Sequence, residues 1–229
     1  MKLEYCTVPK VSVTQGYNFK SVFIPIKFRQ NGWLTKVTKI TMFYYKFLDL
    51  PAVPDHFLKQ SLDRIKDTTG VLNPHVKGNS NGRPLYKNGK LHGYSSGFGL
   101  QHMSEEFDQW VRDNIVADFR YAGVGSTTPG QDHCGPHRDQ SRDYSLLYLV
   151  KTGGNDSCTQ LWQKKIPEEP KNYYDNYDDF DLIEEIRPAL YQWYLLNAKV
   201  VHSVENIKDG RISIQISLLA DQIPVDWIE

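Results

Sequence analysis

Cysteine is scarce in this sequence. The three present (Cys6, Cys134 and Cys158) form neither a CxxC pair nor an even set, which excludes a disulfide-stapled scaffold and fits a reducing compartment. Charge of either sign is not in excess: 27 Lys plus Arg balance 27 Asp plus Glu, so no global field draws the chain to nucleic acid or to an acidic membrane surface. Long apolar runs are missing as well. None approaches the roughly 20 residues that a spanning helix needs, and the opening MKLEYCTVPK lacks the apolar stretch of a signal peptide. Internal repeats are absent too. What is left is a globular protein of cytoplasmic type with neither a membrane nor a nucleic-acid partner. Its 229 residues suffice for one domain over 1–229 with a core of its own.

Aromatic and β-branched residues are plentiful. The stretches 21–28, 34–47, 145–150, 191–197, 200–205 and 211–219 are short, rich in such residues and separated by turn formers, and they predict a β-rich core. Two helices are expected beside it. Residues 55–67 follow Pro54, with Asp55 as cap and Leu58, Leu62 and Ile65 along one face. Residues 104–116 start at Ser104, carry two glutamates in the first turn and space Phe107, Val111 and Ile115 by fours. The Gly- and Asn-rich stretch 73–99 and the Pro-broken, tyrosine-rich stretch 163–181 show no period and are expected to be long functional loops.

The segment CGPHRDQ, 134–140, carries the chemistry. In an extended strand, side chains two apart share a face, so His137 and Asp139 can reach one ion while Arg138 points away. Imidazole plus carboxylate suits a borderline ion such as Fe(II), and a second histidine completes a facial triad with open positions for substrate and oxygen. His202, in a separate predicted strand, is the candidate. A bare HxD tripeptide is common by chance, so the weight lies in the residues that come after His202. RISIQISLL alternates Arg211, Ser213, Gln215 and Ser217 on one face with Ile212, Ile214, Ile216 and Leu218 on the other. The plain reading is a strand with its polar face in water. The alternative is a polar face lining a barrel interior, where Arg211 holds the carboxylate of an anionic ligand that offsets the cost of burying a guanidinium.

HxD at 137–139, His202 and an Arg nine residues later followed by x-Ser resemble the signature of the Fe(II)/2-oxoglutarate-dependent dioxygenases. FRYAGVG (119–125), SLLYLV and TQLW (159–162) are similar to the catalytic core of the prolyl hydroxylases, and PHRDQSRDYSLLYL is similar to the aspartyl/asparaginyl β-hydroxylases. The likeness covers about residues 115–220. It implies a double-stranded β-helix (jelly-roll, cupin-like) core with flanking helices, and a dioxygenase using Fe(II), 2-oxoglutarate and O2. Such an enzyme hydroxylates an amino-acid residue or small metabolite with release of succinate and CO2. His137, Asp139 and His202 would bind iron. Arg211, with Ser213 and Tyr148, would bind the distal carboxylate of 2-oxoglutarate, and Tyr121 would face the reaction chamber. The chain also departs from these patterns. Many prolyl hydroxylases carry lysine at the anchor, many aspartyl/asparaginyl β-hydroxylases lack the acidic ligand, and the second arginine of the nucleic-acid demethylases is here Ser217. The alternative is a cupin-type barrel that binds a metal or small acid without oxidising anything.

Other side chains have plainer expectations. His133 is a possible alternative ligand, although Gly135-Pro136 makes a supporting or solvent-facing role the preferred reading. His56, His75, His92 and His102 are expected at the surface. Cys134 is expected as a small packed residue, and Trp162 and Trp193 as core.

Overall fold

The computed structural model describes residues 17–21, 41–66, 83–95, 98–127 and 132–228. The strand expected over 22–28, the first part of the 34–47 strand, Cys6 and His75 lie outside them. In chain order, β1 (Tyr17–Ser21) and β2 (Thr41–Leu48) precede helix α1 (Asp55–Lys66). Strands β3 (Arg83–Lys87), β4 (Lys90–Ser95) and β5 (Phe98–His102) lead to helix α2 (Glu105–Asn114). Eight strands complete the chain: β6 (Tyr121–Thr127), β7 (Cys134–His137), β8 (Tyr144–Lys151), β9 (Cys158–Lys164), β10 (Phe180–Ile186), β11 (Trp193–Asn197), β12 (Val201–Glu205) and β13 (Ile212–Leu218).

Those eight strands pair as a folded-over ribbon: β6 with β13, β7 with β12, β8 with β11 and β9 with β10, all antiparallel. The ribbon rolls between two sheets. The larger runs β1-β2-β11-β8-β13-β6-β5 and the smaller β10-β9-β12-β7. Nested pairs shared between two facing sheets make a jelly roll, the expected double-stranded β-helix. Helices pack on the outer face of the larger sheet, where Val124, Leu146, Ile214 and Ile216 meet Phe57, Phe107 and Val111. Leu147, Tyr194 and Leu196 of the larger sheet meet Leu161 and Ile186 of the smaller one between the sheets.

β13 is therefore buried on both faces. Ser213, Gln215 and Ser217 are each no more than 5 % exposed, so the interior-lining reading of the polar face holds. Helix α2 matches expectation, with the Ser104 hydroxyl accepting from Phe107 N. Helix α1 packs Leu58 and Ile65 against the core as expected, but not Leu62. Phe57 and Ser61 are buried while Leu62 is exposed, because the sheet lies on the side of the Phe57 ring, which packs edge-on to Phe107.

The expected loop over 73–99 is in its described part a β-hairpin, β3–β4, turned at Asn88 and Gly89 with φ of 55° and 67°. Asn-Gly is the sequence that the left-handed two-residue turn prefers, and this signal was present in YKNGKL. Within 163–181, residues up to Lys164 extend β9, a 3-10 turn spans Tyr177–Asp179, and β10 starts at Phe180. The hairpin and the 173–180 segment cover the outer face of the smaller sheet through Leu85, Tyr174, Tyr177 and Phe180, packed on Trp162 and Val201. No described helix is long and apolar enough to cross a membrane.

Candidate metal centre

His137 and His202 lie directly opposite one another across the β7–β12 pair. Facing residues of an antiparallel pair project to the same side, and their ring centroids are 4.2 Å apart. Asp139 lies just past the end of β7. It is kept extended by Arg138 N donating to Asn172 O (2.8 Å) and Asp139 N donating to Ala198 O (2.9 Å). Strand pairing thus extends past the four residues of β7, and His137 and Asp139 share a face as expected. The Asp139 Oδ2 atom is 3.9 Å from His202 Nε2, and one ligand atom from each of the three residues falls within 4.8 Å of the others.

Both imidazoles are oriented by the backbone. His137 Nδ1 donates to Gly135 O (2.8 Å) and His202 Nδ1 donates to Val200 O (2.9 Å). A carbonyl can only accept, so the proton of each neutral ring sits on Nδ1 and the Nε2 lone pairs are the ones offered to an ion. Two imidazoles and one carboxylate of this orientation fit a divalent ion such as Fe(II). Burial, and then the facing His137, push His202 down to about 4. Burial also opposes charge on His137, but Cys134, Asp139 and the Gly135 carbonyl outweigh it and push that ring up to about 9. Without metal the pair behaves as one site holding a single proton.

Asp139 has a partner that sequence reading missed. Arg142 Nε donates to its Oδ2 (2.8 Å), and Arg142 Nη1 reaches Ser217 Oγ (3.4 Å). Burial disfavours the Asp139 carboxylate, yet Arg142 first, then His202 and His137, hold it below the usual range. The spacing of the pair, three residues apart in DQSR, was a legible signal.

Arg211 is 3 % exposed and enters the interior at the start of β13. Its Nη2 donates to Thr159 Oγ1 (3.0 Å) and to Tyr194 Oη (3.3 Å). Among the described residues no ion pair to its guanidinium is formed, so a buried cation is met by neutral hydroxyls alone. Ser213, two residues on and on the same face, accepts from Gln215 Nε2 (3.0 Å). Tyr148 does not join this group. It lies on the helix-facing side of β8, 4.7 Å from the Trp193 ring and among the residues packed on Val53. The tyrosine at Arg211 is Tyr194. It pairs with Leu147, one residue away from the Tyr148 register, and so faces the opposite side. Tyr121 pairs with Ser217 and shares its face, with its ring 5.9 Å from His102 at the β5 edge.

His133 is not an alternative ligand of this centre: it lies on the outer face of the smaller sheet, bonded to Glu205. His92, expected in a loop at the surface, is on β4 and also faces Glu205. Cys134 is packed with Val204 and Ile207 as expected, and both tryptophans are buried as expected, Trp193 in the core under the helices and Trp162 in the cluster under the hairpin. Tyr173 stands beside the centre, its ring stacked at 6.2 Å from that of His137, 60 % exposed and covered by the Arg83 guanidinium at 5.1 Å.

No protein-family model matches the sequence, and no match is found among curated proteins. The similar solved structures include three at low identity. A Pseudomonas putida prolyl-4-hydroxylase is 14 % identical with a TM-score of 0.44, over 76 % of this chain and 92 % of that one. AviO1 from Streptomyces viridochromogenes Tue57 is 10 % identical with a TM-score of 0.44, over 79 % of this chain and 92 % of that one. The non-heme alpha-ketoglutarate-dependent epimerase SnoN from nogalamycin biosynthesis is 10 % identical with a TM-score of 0.42, over 75 % of this chain and 76 % of that one. Likeness at this level carries no information about activity.

Proposed function

We propose that the chain is an Fe(II)- and 2-oxoglutarate-dependent oxygenase that hydroxylates an amino-acid side chain or a small metabolite, with release of succinate and CO2. The reading rests on one conjunction: a His-Asp-His triad whose ligand atoms lie within 4.8 Å of one another, and a buried arginine without an anionic partner among the described residues, on inward-facing strands of one jelly roll. Bound iron and 2-oxo acid supply the oxidising chemistry. The chain's own part is to hold and exclude. His137, Asp139 and His202 fill one face of the ion, leaving the rest for co-substrate and oxygen. Arg142 fixes the carboxylate oxygen of Asp139. Arg211, flanked by Thr159, Tyr194 and Ser213, anchors the distal carboxylate of the 2-oxo acid by charge-assisted bonds. The sheets on either side keep water from the interior. Tyr173 and Arg83 form the rim through which the substrate to be oxidised approaches.

The test is succinate formation from 2-oxoglutarate under O2 with Fe(II) added, compared with Asp139→Ala. Metal and 2-oxoglutarate binding without succinate or oxygen consumption would favour the alternative, a non-oxidative cupin-type binding protein.

A further inference from the structure

The strands that carry the triad carry a second cluster on their other face. His133 immediately precedes β7, Glu205 ends β12, and His92 comes across from β4 of the hairpin. One ligand atom from each lies within 4.8 Å of the other two. We infer that His92, His133 and Glu205 form a second metal site, for a divalent ion of the zinc class, that fastens the β3–β4 hairpin onto the barrel.

The donor set is two imidazoles and a carboxylate, which zinc takes with a water in the fourth position. Ligand atoms at zinc bond lengths of about 2.0–2.1 Å stand about 3.3 Å apart around a tetrahedron. Here Glu205 Oε2 is 2.8 Å from His133 Nδ1 and 3.6 Å from His92 Nε2, which brackets that spacing. A buried His–Glu hydrogen bond explains the first distance without a metal. It does not explain the second, which is longer than a hydrogen bond yet directs His92 at the same oxygen. The His92 and His133 rings lie 4.4 Å apart. Gly93 permits this approach, since a Cβ there would come within 2.7 Å of His133 Cδ2.

The surroundings support a ligated carboxylate. Tyr177 Oη donates to the other oxygen, Glu205 Oε1, at 2.5 Å, so the carboxylate is oriented from behind, as ligating carboxylates are. Burial, and then Glu205 itself, keep the Tyr177 phenol protonated and donating. Glu205 and His133 are buried, while the His92 side chain is 28 % exposed, giving an ion an entry path and a place for water.

The experiment is metal content after dialysis of the full chain against Zn2+, and separately Co2+, followed by removal of free metal. The unaltered protein should hold two equivalents, His92→Gln one, His202→Ala one and the double variant none. Zinc affinity measured in the His202→Ala background should fall at least tenfold on adding His92→Gln. Zinc should slow amide exchange in residues 83–95 of His202→Ala but not of the double variant. His92 lies at the surface, so its replacement leaves the packed interior alone, and melting in chelator checks this. One equivalent lost on adding His92→Gln, both to the unaltered protein and to His202→Ala, supports this site whatever becomes of the triad. A metal content unchanged by His92→Gln overturns it.

Discussion

Arg211 is the residue on which the proposed co-substrate pocket turns. Its guanidinium is buried against two hydroxyls and has no anionic partner among the described residues, so an anionic ligand would supply one. Arg211→Ala should weaken 2-oxoglutarate binding by about 2–5 kcal/mol, the cost of deleting one side of a buried charge pair. Tyr194→Phe should cost about 0.5–1.5 kcal/mol, one hydrogen bond, and Tyr148→Phe nothing, because its ring lies on the helix side of β8. Calorimetric titration of the three variants checks the order. An unchanged affinity in Arg211→Ala removes the co-substrate assignment. His137→Ala, Asp139→Ala and His202→Ala should each abolish Fe(II)-dependent succinate formation while the fold persists, since each takes away one ligand. Near-normal turnover in any one would break the triad.

The hairpin and the segment beside it stand next to that centre, where the Tyr173 ring stacks near His137. Asn88 N and Gly89 N donate to the Asp178 carboxylate (2.7 and 2.9 Å), and Tyr86 N to Asp175 O (2.8 Å), so the turn is tied to the 172–179 segment that presents Tyr173. Gly89 has φ of 67° and open space where a Cβ would go. Gly89→Ala should therefore cost about 1–2 kcal/mol through backbone strain alone, read by urea denaturation. A neutral substitution would mean that the turn does not limit stability. Tyr173→Ala should spare succinate formation without substrate and lower coupled hydroxylation, and equal loss of both would place Tyr173 in the co-substrate site instead. These elements also mark what the sequence could tell. Period-two alternation identified β13, because burial of a patterned strand writes itself into residue choice, while β-branched composition marked the His202 strand and Gly135-Pro136 marked 134–140 as extended. Tyr148 was misplaced because β8 reads as a continuous apolar run: with both faces buried, nothing local says which tyrosine looks inward. β10 (FDLIEEI) was missed because it is an edge strand in which Leu182 and Ile183 are adjacent and a bulge between Leu182 and Glu184 breaks the alternation, so its pairing with β9 lies in tertiary contact rather than in its own pattern.

Metal, proton and fold are coupled through the His137–His202 pair, which joins the two strands closing the smaller sheet. With His202 pushed down to about 4 and His137 up to about 9, the metal-free folded pair holds one proton across that interval. A ligated pair holds none on Nε2, so an ion must displace that proton. Between the two values, each unit of rising pH should therefore strengthen metal binding by up to tenfold, as one proton is released per ion. An ion that binds only the folded form raises stability according to its affinity. The increase in melting temperature caused by Co2+ should then be larger at pH 8 than at pH 6. His92→Gln isolates the triad from the outer cluster for this measurement, and His202→Ala should lose the effect. The same dependence appears in the chain as proton release on metal addition, measurable in two buffers of different ionisation enthalpy. A Co2+-induced stabilisation that is the same at both pH values in His92→Gln would mean that the pair is already neutral in the free protein, and that the triad takes up its ion without exchanging a proton.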